Sequence, residues 1–189
     1  MSAKLLQQIL KKVYGEPAWM VRRQFGPSIL LEFGKPKLQI TEKIFQPKKN
    51  VRKFPKRMVK VYGDWHLTTF CSAWKIRQAN KTICSSRSND EAIDQGCAIL
   101  DGQILKKVVV HPKTLVTDFY FDLGGHLQTK PFKNETEASS MWDLFCPNGR
   151  VFSLKSDGST SDGCGTSYAA PLVAKTAAML DMSIEGEVS

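Results

Sequence analysis

Between Leu115 and Leu123 the chain shows its clearest alternation: Leu115, Thr117, Phe119, Phe121 and Leu123 on one parity, Val116, Asp118, Tyr120 and Asp122 on the other. Side chains of a strand point to opposite faces in turn, so this period admits a strand with one apolar face and excludes a helix. Gly124-Gly125 reads as a two-residue hairpin turn, and Leu127 to Phe132 as the antiparallel return. Asp118 and Asp122 share the polar parity, where a solvated face is the ordinary reading.

Other segments repeat this grammar. Trp142 to Cys146, the turn Pro147-Asn148-Gly149 and Val151 to Leu154 form a second hairpin. Ser28 to Phe33 is a short apolar run bounded by Gly26-Pro27 and Gly34, with Leu38 to Ile40 expected to pair beside it. Trp65 to Ile76 is rich in aromatic and β-branched residues and reads as one long strand, which Asn80-Lys81 turns into Thr82 to Ser86. Ile104 to His111 is a further strand.

Two helices interrupt the strands. The first is expected from Ser2, an N-cap, to Gly15, a stop, with Leu5, Leu6, Ile9, Leu10 and Val13 at helical spacing. The second opens on Ser88 with Glu91 completing a capping box, places Ile93, Cys97 and Leu100 on one face, and ends at Asp101-Gly102. A third helix is expected around Ala169 to Asp181. The fold class is therefore α+β: an antiparallel sheet built from hairpins with two helices packed on it, plus a C-terminal helix. Phe119, Phe121, Leu123, Trp65, Trp142 and Leu144 are expected to be buried on one side of that sheet.

Composition bounds the rest. Of 189 residues, 42% are hydrophobic and 24% charged, enough to fill one core. No run approaches the ~20 apolar residues of a membrane span, and the lysine-broken start has no continuous apolar core of a signal peptide. The cytoplasm is the expected location. Five cysteines, Cys71, Cys84, Cys97, Cys146 and Cys164, form no CxxC pair and read as buried thiols. The three histidines are widely spaced, which favours ordinary sheet positions over metal ligands or the bases of a hydrolase; no metal or cofactor is expected.

The net charge of +9 is concentrated. Lys43, Lys48, Lys49, Arg52, Lys53, Lys56, Arg57 and Lys60 follow one another with no acidic residue between. Such a run attracts phosphates or an acidic protein surface, and Phe45 and Phe54 between its charges are able to stack on bases. Pro47 and Pro55 break regular structure, so the segment reads as a solvated loop that binds polyanions weakly at most.

Two resemblances add to this. The succession FGPSILLEFG, GDWHLTTFCSAWKI, SSRSNDE, LDGQ, FDLGGHL and MWDLFCPNGRV, within Trp19 to Gly158, resembles a family of small bacterial domains, some similar folds of which occur as immunity proteins beside toxins. It implies a small binding domain whose partner is another protein, a toxin or a component of a peptidase system. Cys164 to Leu180, with Gly165-Thr166-Ser167-Tyr168-Ala169-Ala170-Pro171-Leu172-Val173-Ala174, is similar to the nucleophile motif of the subtilisin-like peptidases. That resemblance implies Ser167 as nucleophile at a helix start, where backbone amides stabilise an oxyanion.

A serine attacks a peptide only with a base that is itself oriented. His66, His111 and His126 are followed by Leu67, Pro112 and Leu127, not by the Gly-Thr of the family, and Asp157 and Asp162 come after every histidine. The expectation is a binding domain over 1–158, a linker over 159–163, and a partial subtilase-like segment over 164–189 that is not a competent protease alone. Alternatives are a serine endopeptidase completed by a partner chain, and a nucleic-acid module using Lys43 to Lys60.

Overall fold

The computed structural model of the protein describes residues 3–45, 54–132 and 138–164. Helix α1 (Ala3–Leu10) runs into a tight turn at Lys11–Val13, and Gly15 at φ +89° closes it. Then come β1 (Trp19–Arg23), β2 (Ile29–Phe33), β3 (Lys37–Phe45), β4 (Phe54–Tyr62), β5 (Trp65–Thr69), β6 (Ala73–Gln78) and β7 (Lys81–Ser85). Helix α2 (Asp90–Leu100) precedes β8 (Leu105–Val110), β9 (Thr117–Phe121), β10 (Gly125–Lys130), β11 (Ser140–Phe145), β12 (Arg150–Lys155) and β13 (Thr160–Cys164).

The strands form a six-stranded sheet, β1-β2-β5-β11-β12-β13, a five-stranded sheet, β7-β6-β10-β9-β8, and a separate two-stranded ribbon, β3-β4. Every strand pairing among the described residues is antiparallel. One core joins the two large sheets. Phe119 on β9 meets Trp142 on β11 edge to face at 5.9 Å, and the Trp142 indole N–H donates to Thr117 Oγ1 at 3.1 Å. Ile93, Cys97 and Leu100 of α2 are buried in the same core, as their spacing requires.

Several expectations change. Phe119 and Phe121 lie on the five-stranded sheet, Trp142 and Leu144 on the six-stranded one, so a single sheet becomes two. Trp65 is half-buried, and Leu123 is 68% exposed because the turn is Asp122 to Gly124, with Gly125 already in β10. Gly124 takes φ +87° there, a conformation that suits glycine. The long strand from Trp65 breaks at Phe70 to Ser72, where Phe70 N–H donates to Met141 O, Cys71 N–H to Ser140 O, and Ser72 Oγ to Met141 O. Those bonds carry the chain from one sheet to the other while both halves stay in the core, which is why their composition runs on without a signal.

Leu38 to Ile40 pair with β4, not with β2. The N-cap of α2 is Asn89, whose side chain accepts from Ala92 N–H, while Ser88 Oγ accepts from Ser85 N–H and closes the preceding turn. Residues 160–163, expected as linker, and Cys164, expected to open the subtilase-like segment, form strand β13, because Gly158 at φ +83° and the Ser159 N–H donated to Asp157 Oδ1 turn the chain back along β12. The expected C-terminal helix lies outside the described residues.

Candidate functional site

Strand parity builds this site. On the outer face of the five-stranded sheet, Asp118 and Tyr120 of β9 stand opposite Gln128 and His126 of β10, which in turn stand opposite Lys75 and Arg77 of β6. His111 follows β8 directly and turns toward the same place. Asp118 is only 3% exposed, yet it is fully partnered. Its carboxylate accepts from His111 Nε2 at 2.8 Å, His126 Nε2 at 2.7 Å and Gln128 Nε2 at 2.7 Å.

An ionised carboxylate only accepts, so both imidazoles carry hydrogen on Nε2. Burial pushes the Asp118 carboxyl up, but the Gln128, His126 and His111 donors outweigh it and hold it below the ordinary carboxylate range. The Tyr120 ring lies flat on His126, with centroids 4.6 Å apart and planes within 4°. Asp118 thus fixes the tautomer and orientation of two imidazoles on an otherwise cationic face, where Lys75, Arg77, Lys107 and Lys130 share its parity.

His66 is elsewhere, on β5. Its Nδ1 lies 2.8 Å from Glu32 Oε1 and its Nε2 3.0 Å from Thr68 Oγ1, while Gly63 N–H donates to Glu32 Oε2 at 2.9 Å. Hydroxyl, imidazole and carboxylate stand in the order of a serine-peptidase relay. Thr68 is 1% exposed, however, so no peptide carbonyl reaches it. We read a satisfied polar network, of the kind that fixes strand register in a buried sheet.

The other sequence-derived positions divide. Lys56 and Arg57 stand on β4, in a regular ribbon and not in the loop expected from the prolines. Pro55 is accommodated because each strand of a two-stranded ribbon has one unpaired edge. Arg57 donates through Nε to Glu42 Oε1 at 2.8 Å. Lys48, Lys49, Arg52, Lys53 and Ser167 lie outside the described residues. Asp162 is paired with Arg150 across β12 and β13, and Asp157 caps a turn.

Cys84, Cys97 and Cys146 are buried and Cys71 is exposed. Burial raises the Cys84 thiol and pushes Cys97 and Cys146 up to about 12. Among the described residues no group of three or more His, Cys, Asp or Glu is arranged to hold a metal ion, since both imidazoles aim their N–H groups, not lone pairs, at Asp118. No helix among them is long and apolar enough to cross a membrane.

Asp118, expected on a solvated face, is the residue that the sequence reading misplaced. The available signal was hairpin register: a β9–β10 hairpin puts Gln128 directly across from Asp118 and His126 diagonal to it. Compared with known proteins, the chain matches no family model, no curated protein and no solved structure.

Proposed function

We propose that the chain is a protein-binding domain of the immunity-protein kind, carrying an incomplete subtilase-like serine segment over 164–189 with a helix around Ala169 to Asp181, and that it hydrolyses no peptide alone. The β3–β4 ribbon carries the binding reading. Its register places Leu38 beside Val61, Ile40 beside Val59, Glu42 beside Arg57 and Ile44 beside Pro55 on one face. Ile40 is 56% exposed and Ile44 70%. The opposite face carries Lys37, Lys56 and Lys60. A ribbon with exposed aliphatic side chains around the Glu42–Arg57 pair on one face, and lysines interspersed with Met58 and Tyr62 on the other, fits an apolar cleft bordered by acidic side chains, which a protein surface offers.

A photo-crosslinking amino acid at position 40, in cells that make the protein, tests this. The expected product is a discrete adduct with a second protein, resistant to nuclease and lost when Val59→Asp is added. A nuclease-sensitive adduct, or none, overturns the reading.

One observation favours a second reading. Lys56, Arg57 and Lys60 of the basic run stand on a two-stranded antiparallel ribbon, an element that the major groove of a duplex admits. Nanomolar binding of a duplex at physiological salt, lost when Lys48, Lys49, Arg52, Lys53, Lys56 and Arg57 become Ala, would put nucleic acid first. For the serine segment, a fluorophosphonate probe is expected to leave Ser167 unlabelled in the isolated chain, because His66 already faces Thr68 and His111 and His126 are held by Asp118. Labelling that Ser167→Ala abolishes would reinstate an autonomous peptidase, and labelling only with an added protein would support completion in trans.

A further inference from the structure

Beside the Asp118 cluster the outer face of the five-stranded sheet dips into a groove of about 670 Å³, walled by Pro131 and Phe132 and edged by Lys75, Arg87 and Lys130. Among the described residues its lining includes no acidic residue. Among the described residues, none of these three cations stands within ion-pair distance of a carboxylate. Like charges in a partly desolvated place repel unless an anion sits between them.

Two further observations mark the excess. Burial, with the charges of Arg77 and Lys130, holds the Lys75 ammonium below its ordinary value, against the pull of Asp118. Asp118 carries a single negative charge against Lys75, Arg77 and Lys130 together, so it leaves this face with an excess of positive charge. Arg77, next along β6 on the same face, has a buried Nε–H with no acceptor.

The groove asks for more than a bare anion. Its volume falls in the range of small-molecule sites, ~300 to 1,000 Å³, whereas inorganic phosphate would leave the aromatic wall idle. Phe132 is 37% exposed, leaving ring area for a planar partner to cover. Gln128 also lines the groove, and its amide N–H is committed to Asp118, which fixes the amide's orientation and makes its carbonyl the acceptor for an incoming N–H. A flat heterocycle with N–H donors, joined to a phosphate, uses all of these features at once. We infer that this groove binds a nucleoside phosphate, with the phosphate between Lys75, Arg87 and Lys130, the base against Phe132 and the base edge at Gln128.

The same chemistry reaches the groove as a free nucleotide or as the 5′-phosphorylated end of a strand. Isothermal titration of the full chain with the four nucleoside monophosphates, their nucleosides, pyrophosphate, and a short strand with and without its 5′-phosphate separates these sources. The expected result is saturable one-to-one binding of at least one monophosphate, about tenfold tighter than its nucleoside or pyrophosphate, since each partner loses a charge-assisted contact or the stacked ring. Lys130→Ala should weaken the nucleotide about tenfold and leave the nucleoside unchanged. Phe132→Ala should weaken the nucleotide and spare pyrophosphate.

Both variants are surface changes, and an unchanged melting temperature confirms that the fold is intact. If the strand binds equally well with and without its 5′-phosphate while every monophosphate is silent, the groove tracks a backbone and the inference fails. Pyrophosphate binding as tight as any nucleotide, no saturable binding at millimolar ligand, or a nucleotide affinity indifferent to Lys130→Ala would also overturn it.

Discussion

Gly96→Ala should destabilise the protein, although helix propensity alone demands the reverse. Gly96 lies inside α2 on the side that packs against β6 and β7. A Cβ there would stand 2.2 Å from Cys84 Sγ and 3.3 Å from Ile76 Cδ1. Glycine to alanine within a helix gains about 1 kcal/mol from backbone entropy. A sulfur atom at 2.2 Å must move or push the helix outward, and overpacking of this kind costs about 2 kcal/mol. The net loss is then about 1 kcal/mol, a fall in melting temperature of about 3 °C for a chain of this size. Cys84→Ala removes the obstructing sulfur and loses about 1 kcal/mol by itself through the cavity left behind. In the double variant the new methyl occupies the vacated space and the propensity gain returns, so stability should come back to within about 0.5 kcal/mol of the parent, a coupling of about 2 kcal/mol. Urea unfolding followed by tryptophan emission measures all four proteins, provided that their slopes agree. If Gly96→Ala stabilises the parent by about 1 kcal/mol, α2 does not lie this close to β7, and the reasoning is refuted.

Asp118→Asn leaves only one acceptor atom for three donors, and hydrogen bonds to a charged group contribute about 1.5 to 3 kcal/mol each, so the variant should lose at least about 2 kcal/mol near neutral pH by denaturant titration. Because the folded-state pKa of Asp118 is depressed, the advantage of the parent should be complete above about pH 4 and fade as the pH drops through the lower folded value; an advantage that grows on acidification would contradict the assignment. In a Cys164→Ala background, Ellman's reagent at pH 8 should find Cys71 quickly and reach Cys84, Cys97 and Cys146 only on unfolding, since burial keeps those thiols protonated. Rapid reaction of any of the three in the native protein would show that the core opens there.

What the sequence disclosed was local. The alternation through Phe119 and Phe121, the Pro147-Asn148-Gly149 turn and the Ile93-Cys97-Leu100 face all appear where their periods require. A period of two reports that a strand has a buried face but not which sheet owns it. Phe121 and Leu144 therefore looked like neighbours on one sheet when they belong to two. Strand β2 shows the same limit: all five of its residues are buried, so it carries no alternation from which a face could be read. The ribbon was hidden by its own charge. Leu38 to Ile40 reads as a strand, but past Ile40 the lysines and prolines around Ile44, Val59 and Val61 point to a loop although those residues lie on one face with it.

The candidate site was hidden for a different reason. Asp118 and Asp122 share one parity, and only the register of the hairpin separates them. Asp122 falls in the turn, where its carboxylate needs only the Ile104 N–H at 2.8 Å. Asp118 falls in mid-strand, between two neighbours whose own hairpins return through it, so His111, seven residues before, and His126, eight residues after, both reach it from the flanking strands. Wide spacing along the chain thus argued against convergence of the histidines, whereas in an antiparallel meander similar distances on either side of a central strand bring side chains together. The pairing of β8, β9 and β10 turns an unremarkable aspartate into the anchor of the cationic face. If that anchor sets the groove, Asp118→Asn should weaken nucleotide binding through Gln128 even where the folded population is held constant, and Asp122→Asn should not.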